Sequence, residues 1–165
     1  MAKTAAHQTS EHLKTQAEKH REAPATGEVP FLAPDIPADA PELYRSFWQL
    51  WSAEKFFACH EVLEELWRDT RGAQRWFYNG LINCAVAVYQ HRRGNAVGAA
   101  RQLWRARVKL QPFRPRHYEV DVDGLLAAVE HSIAASLAEL SEAQRSQLPA
   151  LQKSIEQRME RDLSR

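Results

Sequence analysis

Between Ala73 and Arg93 two apolar rows run side by side at helical spacing. Phe77, Leu81, Cys84 and Val88 form one, and Tyr78, Ile82, Ala85 and Tyr89 form the other. Residues three and four apart share a helix face, so the segment is predicted to be a helix with an unusually wide apolar surface. Such a helix belongs at the centre, covered by others. The rest of the chain supplies the cover as helices and shows no strand pattern.

Pro41, with Asp39 before it and Glu42 after it, opens a first helix running to about Trp51. Its apolar face is Leu43, Tyr44, Phe47, Leu50 and Trp51. A second helix carries the box Phe56 to Trp67 and ends before Gly72. Gly94-Asn95 breaks the central third helix. The fourth runs from about Ala96 to Leu110, with Ala99, Leu103, Ala106 and Leu110 facing inward, and stops before Pro112. Val122 to Leu140 reads as a fifth, capped by Asp121 or Asp123. Ser141 to Gln144 has the form of a capping box opening a short helical turn that Pro149 ends. Leu151, Ile155, Met159 and Leu163 form a thin last stripe that docks at an edge, pairs with another chain or frays. The expected fold is all-α, an antiparallel helical bundle or array of about five to six helices.

The expected division is a flexible, polar and Pro-rich N-terminal tail over residues 1–40, a helical domain over 41–140 and a C-terminal helical extension over 141–165. Met1 to Glu22 is polar, with His7, His12 and His20 scattered through it and no apolar stripe to bury. Five prolines from Pro24 to Pro41 then forbid a continuous helix, leaving this tail mostly disordered or extended, with Phe31, Leu32 and Ile36 able to pin it to the domain. No apolar run approaches the roughly 20 residues that span a bilayer, and Met1 to Glu22 lacks an apolar signal core. The expected location is cytoplasmic, with no membrane partner. Cys59 and Cys84 lie among apolar neighbours and read as two small buried hydrophobes, not a disulfide. Trp48, Trp51 and Trp67 belong either to the core or to a surface for a homo-oligomer.

Chemistry concentrates in the second helix, Phe56-Phe57-Ala58-Cys59-His60-Glu61-Val62-Leu63-Glu64-Glu65-Leu66-Trp67. His60 and Glu64 are one turn apart on one face at the edge of the apolar row. Gly80 on the third helix would let a neighbour approach closely, and Asn83 one turn on would then need partners. Three readings compete. His60, Glu64 and Asn83 satisfy one another across a helix seam; or His60 and Glu64 are two ligands of a divalent metal, with Glu61, Asn83 or His91 as a third; or Glu64 orients His60 as a general base. The structural role comes first, with His60, Glu61, Glu64 and Asn83 as candidate ligand-binding residues. No catalytic residue is assigned; if the protein is an enzyme, a metal-assisted hydrolase fits. The box is not a zincin signature, because position 64 is Glu, not His. Nucleophile elbows, phosphate-binding Gly loops and paired-Cys zinc motifs are absent from the sequence.

Charge is nearly balanced, with 22 basic and 21 acidic residues, yet unevenly placed. From Thr70 to Tyr118 there is no Asp or Glu, while Arg71, Arg75, Arg92, Arg93, Arg101, Arg105, Arg107, Lys109, Arg114 and Arg116 all fall there. Arg101, Arg105 and Lys109 recur every four residues, where like charges repel. Either acids such as Glu61, Glu64, Glu65 and Asp69 offset them, or the row is an anion-binding face. Interleaved Trp104, Phe113, His117 and Tyr118 would suit a nucleic acid or a phosphorylated ligand. Ala58-Cys59 and Ala99-Ala100, about one repeat apart, also hint at stacked hairpins like tetratricopeptide units. The alternative function is therefore an interaction module whose basic fourth helix binds an acidic protein, a polyanion or nucleic acid.

The Phe56-to-Trp67 box, with His60-Glu61 followed by Glu64 and Trp67, resembles the family named domain of unknown function 309. Gly80-Leu81-Ile82, the small and apolar residues to Tyr89, Arg93-Gly94-Asn95 and Ala99 extend the resemblance, which covers about Leu43 to Leu110. It implies a compact all-helical bundle or array and no established reaction. It places the family's characteristic polar positions on His60, Glu61 and Glu64. Asn83 stands where Gln is more usual, and Cys59 where Ala is usual.

Overall fold

The computed structural model describes residues 21–164. His7, His12, His20 and the first half of the expected tail lie outside the described residues. The described chain is mainly helical from Glu42 on: α1 (Glu42–Ser52), α2 (Phe56–Asp69), α3 (Ala73–Arg92), α4 (Ala96–Leu110), α5 (Val122–Ser132), α6 (Ala134–Glu139), α7 (Glu142–Ser146) and α8 (Leu148–Leu163). The first four are joined by the short connections 53–55, 70–72 and 93–95 and pack each on the next. Helix α3 is the central element, with both of its apolar rows buried between Trp76 and Tyr89. Helix α4 packs on α3 and also against α6 and α8, and α8 reaches α3 as well.

Physical causes for the boundaries are visible. Gly94 takes φ +76, a left-handed turn that closes α3 without strain on a Cβ. Asn95 then caps α4 by accepting from the Gly98 N–H. Asp121, not Asp123, caps α5 through the Gly124 N–H. Ser141 and Gln144 form the expected capping box. The helix expected over 122–140 divides at Ile133 into α5 and α6. Pro149 sits in the first turn of α8, where its missing N–H has no helical partner to lose. Ile155 and Met159 dock α8 onto the bundle, whereas Leu163 at its end is exposed.

A short antiparallel hairpin pairs β1 (Arg116–His117) with β2 (Val120–Asp121). Two residues per strand carry no alternation, so no periodic signal announces it. Its tip is held from α1: the Tyr44 hydroxyl donates to the Tyr118 carbonyl at 2.8 Å, and the two rings stack at 4.6 Å. Residues 22–40 hold no helix or strand and close in a turn where the Ala40 N–H donates to the Pro37 carbonyl. Trp51 Nε1 donates to the Phe31 carbonyl at 2.9 Å, and Phe31 and Ile36 pack on the core. Leu32 does not pin this segment; it is 88% exposed.

Gly80 is where α4 comes closest. A Cβ built there would stand 2.5 Å from Cγ of the fully buried Leu110. Gly80→Ala gains about 1 kcal/mol of helix propensity. It also forces a branched carbon out of a filled space, which costs about 1–3 kcal/mol. The expected net result is destabilisation, read as a lower urea midpoint; an unchanged or higher midpoint would mean that Leu110 has room to retreat.

Candidate functional site

Helix α2 begins without a capping side chain of its own; its N-cap is Lys55. The Glu22 carboxylate supplies the missing acceptor, taking the Ala58 N–H at 2.9 Å across 36 residues. A carboxylate at this end also complements the helix dipole. One turn later His60 Nε2 meets Glu64 Oε2 at 3.0 Å, and Glu64 also holds Arg68 at 3.3 Å. The pair is half-buried, 28% and 31% exposed for His60 and Glu64. The other His60 ring nitrogen, Nδ1, is buried with no hydrogen-bond partner.

Beside His60 lies a cleft of about 380 Å³, lined by Phe57, His60, Val86, Tyr89, Gln90, Arg93 and Asn95. Its aromatic members are grouped: Phe57 lies 5.4 Å from the His60 ring and 5.2 Å from Tyr89. Arg93 lies over the Tyr89 ring and donates to its hydroxyl at 2.7 Å. The Asn95 side-chain amide donates to Gln90 Oε1 at 3.0 Å. The lining is thus an aromatic wall with a guanidinium and two amides and no carboxylate. Val86, Tyr89 and Gln90 on α3 and Arg93 at its C-cap recur at helical spacing, a row that the motif on α2 does not disclose.

The other sequence candidates go elsewhere. Asn83 does not join His60 and Glu64; its Nδ2 donates to Gln102 at 2.8 Å, and its Oδ1 accepts from Lys109 at 2.9 Å. The face of α3 bearing Asn83 is turned to α4, so its polar needs are met there. Glu61 is exposed and outside the cleft lining. His91 is bonded through Nδ1 to Ser136 at 2.6 Å. Among the described residues no group of three or more His, Cys, Asp and Glu side chains stands close enough to hold a metal ion. Cys59 and Cys84 are free and buried, and burial raises both thiols, Cys84 to about 12, so neither is a ready thiolate.

The basic row also divides. Arg101 is exposed and Arg105 half-buried, but Lys109 is buried between α3 and α4 and is no part of a solvent-facing row. The acids that meet arginines of the acid-free stretch are not those of α2. Arg92 pairs with Glu54 at 2.7 Å, Arg107 with Glu130 at 2.6 Å, and Arg114 with Asp123. Phe113, His117 and Tyr118 are packed against Phe77 and Tyr44 rather than offered to bases. A second cleft, of about 740 Å³, opens where the segment Thr26 to Pro30 passes Val88, His91, Arg92 and His131.

Among the described residues no helix is long and apolar enough to cross a membrane. No solved structure matches the chain. A curated relative, "Uncharacterized protein YpuF" of Bacillus subtilis (strain 168), is 45% identical over 49 residues, which are 29% of this chain and 28% of that protein. The similarity thus covers well under half of that relative's length. Residues 44–102, from α1 into α4 and including the whole His60 box, match the family described as Domain of unknown function (DUF309), the family that the motifs of α2 and α3 resemble.

Proposed function

We propose that this protein binds a small planar acid in the cleft beside His60. The observation that carries the proposal is the His60–Glu64 contact at 3.0 Å next to an aromatic cleft of about 380 Å³ with Arg93 on its wall. Small-ligand sites run from roughly 300 to 1,000 Å³, with apolar walls and few polar groups. Phe57 and Tyr89 would face the ring of the ligand. Arg93, with five N–H donors of which Tyr89 uses one, would take its carboxylate. Glu64 fixes the His60 ring, so the pair is structural first and a ligand contact second.

At this exposure the pair adds less than about 1 kcal/mol to stability. His60→Ala is therefore expected to melt close to wild type and yet lose the ligand. The check is an NMR titration with benzoate as the probe. Saturable shifts confined to α2 and α3 around the cleft, abolished by His60→Ala and by Arg93→Ala, support the proposal. No saturable shift, or equal shifts in both variants, overturns it.

A further inference from the structure

Where α3, α4 and α8 meet, donors of hydrogen bonds gather without an acid. Lys109 of α4 is only 9% exposed, and its ammonium donates to the side-chain carbonyls of Asn79 and Asn83. Asn83 is held in that orientation because its Nδ2 is taken by Gln102. Two neutral carbonyls solvate a cation without neutralising it. The charged neighbours that act on Lys109 are Arg105, one turn earlier on α4, and Arg158 of α8, both cations. Burial, then these two, lower the Lys109 pKa to about 8.

A second observation falls at the same place. Trp76 is 7% exposed, and its indole N–H is buried without a partner. The Arg158 guanidinium lies 6.0 Å from the Trp76 ring centroid. Trp76, Asn79 and Asn83 follow one another at three and four residues on α3, so they form one row. Asp162 lies one turn beyond Arg158 on α8, but no ion pair joins a described carboxylate to Arg158, Arg105 or Lys109. A buried ammonium, two guanidiniums that act on it and an unsatisfied N–H beside one of them are the groups from which an anion site is built.

We propose that Lys109, Arg105, Arg158 and the Trp76 N–H form a site for one phosphate group, free or carried as a monoester on a small molecule. A tetrahedral oxyanion accepts several hydrogen bonds at once and would neutralise the ammonium that nothing else compensates. Arg101, exposed and one turn before Arg105 on α4, is not among the charges that act on Lys109, so it takes no part. The site shares no residue with the cleft at His60, whose α3 contacts begin at Val86, further along the helix.

The experiment is a calorimetric titration of the full chain with inorganic phosphate at constant ionic strength, then with glycerol phosphate. Sodium chloride serves as the control. Saturable one-to-one binding is expected. It should weaken about tenfold or more in Arg158→Gln and in Lys109→Met, and stay unchanged in Arg101→Gln. Tighter binding of glycerol phosphate than of phosphate would assign the site to an ester; the reverse would assign it to the free ion. Because Lys109→Met removes a buried group, Arg158→Gln, at an exposed side chain, is the deciding variant. Binding that is equal in Arg158→Gln and wild type, or that follows ionic strength alone, overturns the site.

Discussion

Trp51→Ala is expected to destabilise the protein by about 3–5 kcal/mol, the range for losing a fully buried tryptophan. Trp51 is wholly buried where α1 meets the start of α2. Its ring lies 5.1 Å from Phe56, 5.7 Å from Trp48 and 6.0 Å from Phe47. Removing it leaves a void among large, stiff side chains that cannot collapse onto one another. Trp51 also does a second job, since its Nε1 ties down the Phe31 carbonyl. Trp51→Phe separates the two, because it keeps most of the ring and deletes the donor. The expected result is a smaller loss of global stability, with faster proteolysis or hydrogen exchange confined to residues 26–36. Chemical denaturation gives the first number and exchange mass spectrometry the second. Two variants within about 1 kcal/mol of wild type would show that α1 is not anchored through this ring.

Why the sequence discloses some of this and hides the rest can be argued from particular residues. Helices α1 to α4 are legible because each carries an apolar stripe at helical period, and because Pro41, Gly72 and Gly94 punctuate them where the backbone needs it. Gly80 announced a close approach, and Leu110 makes it. The hairpin at residues 116–121 stayed hidden, because its order comes from Tyr44 stacking on Tyr118 from 74 residues away. At the candidate site, spacing within one helix was enough to join His60 to Glu64. It could not say which helix Asn83 faces, because that depends on the rotation of α3 against α2 and α4. Lys109 shows the same limit. A four-residue charge repeat reads as a solvent face, yet two asparagines on α3 draw one member of it inside. Periodicity reports local geometry, whereas the partner of a polar group is a property of packing.

Glu54→Ala is expected to lower stability by about 3–5 kcal/mol at neutral pH, the effect of breaking a buried ion pair from one side. Glu54 sits in the turn between α1 and α2 at φ +58, a left-handed conformation that costs a residue with a Cβ about 1–2 kcal/mol. What repays that strain is the side chain. Its buried carboxylate accepts from the Thr26 N–H at 2.9 Å, the Thr26 hydroxyl at 2.7 Å, the Gly27 N–H at 2.8 Å and Arg92 at 2.7 Å. One carboxylate thereby clamps the N-terminal segment to the end of α3 and forms the support of the larger cleft. Burial alone would push its pKa up, but the hydrogen bonds from Thr26, Gly27 and Arg92 outweigh burial and hold it down at about 2, against an ordinary value of 4.5. Between those two values the unfolded chain takes up a proton that the native protein refuses. The contribution of Glu54 is therefore complete above pH 4.5 and drains away as pH falls toward 2. Urea unfolding at steps of pH from 6 down to 2 should show wild type losing stability more steeply through this window than Glu54→Ala. Glu54→Gly should share the flatter slope but recover about 1 kcal/mol, because glycine adopts the turn without strain. Parallel slopes for wild type and Glu54→Ala would mean that the carboxylate is not held ionised by its donors, and the clamp would have to be explained by packing alone.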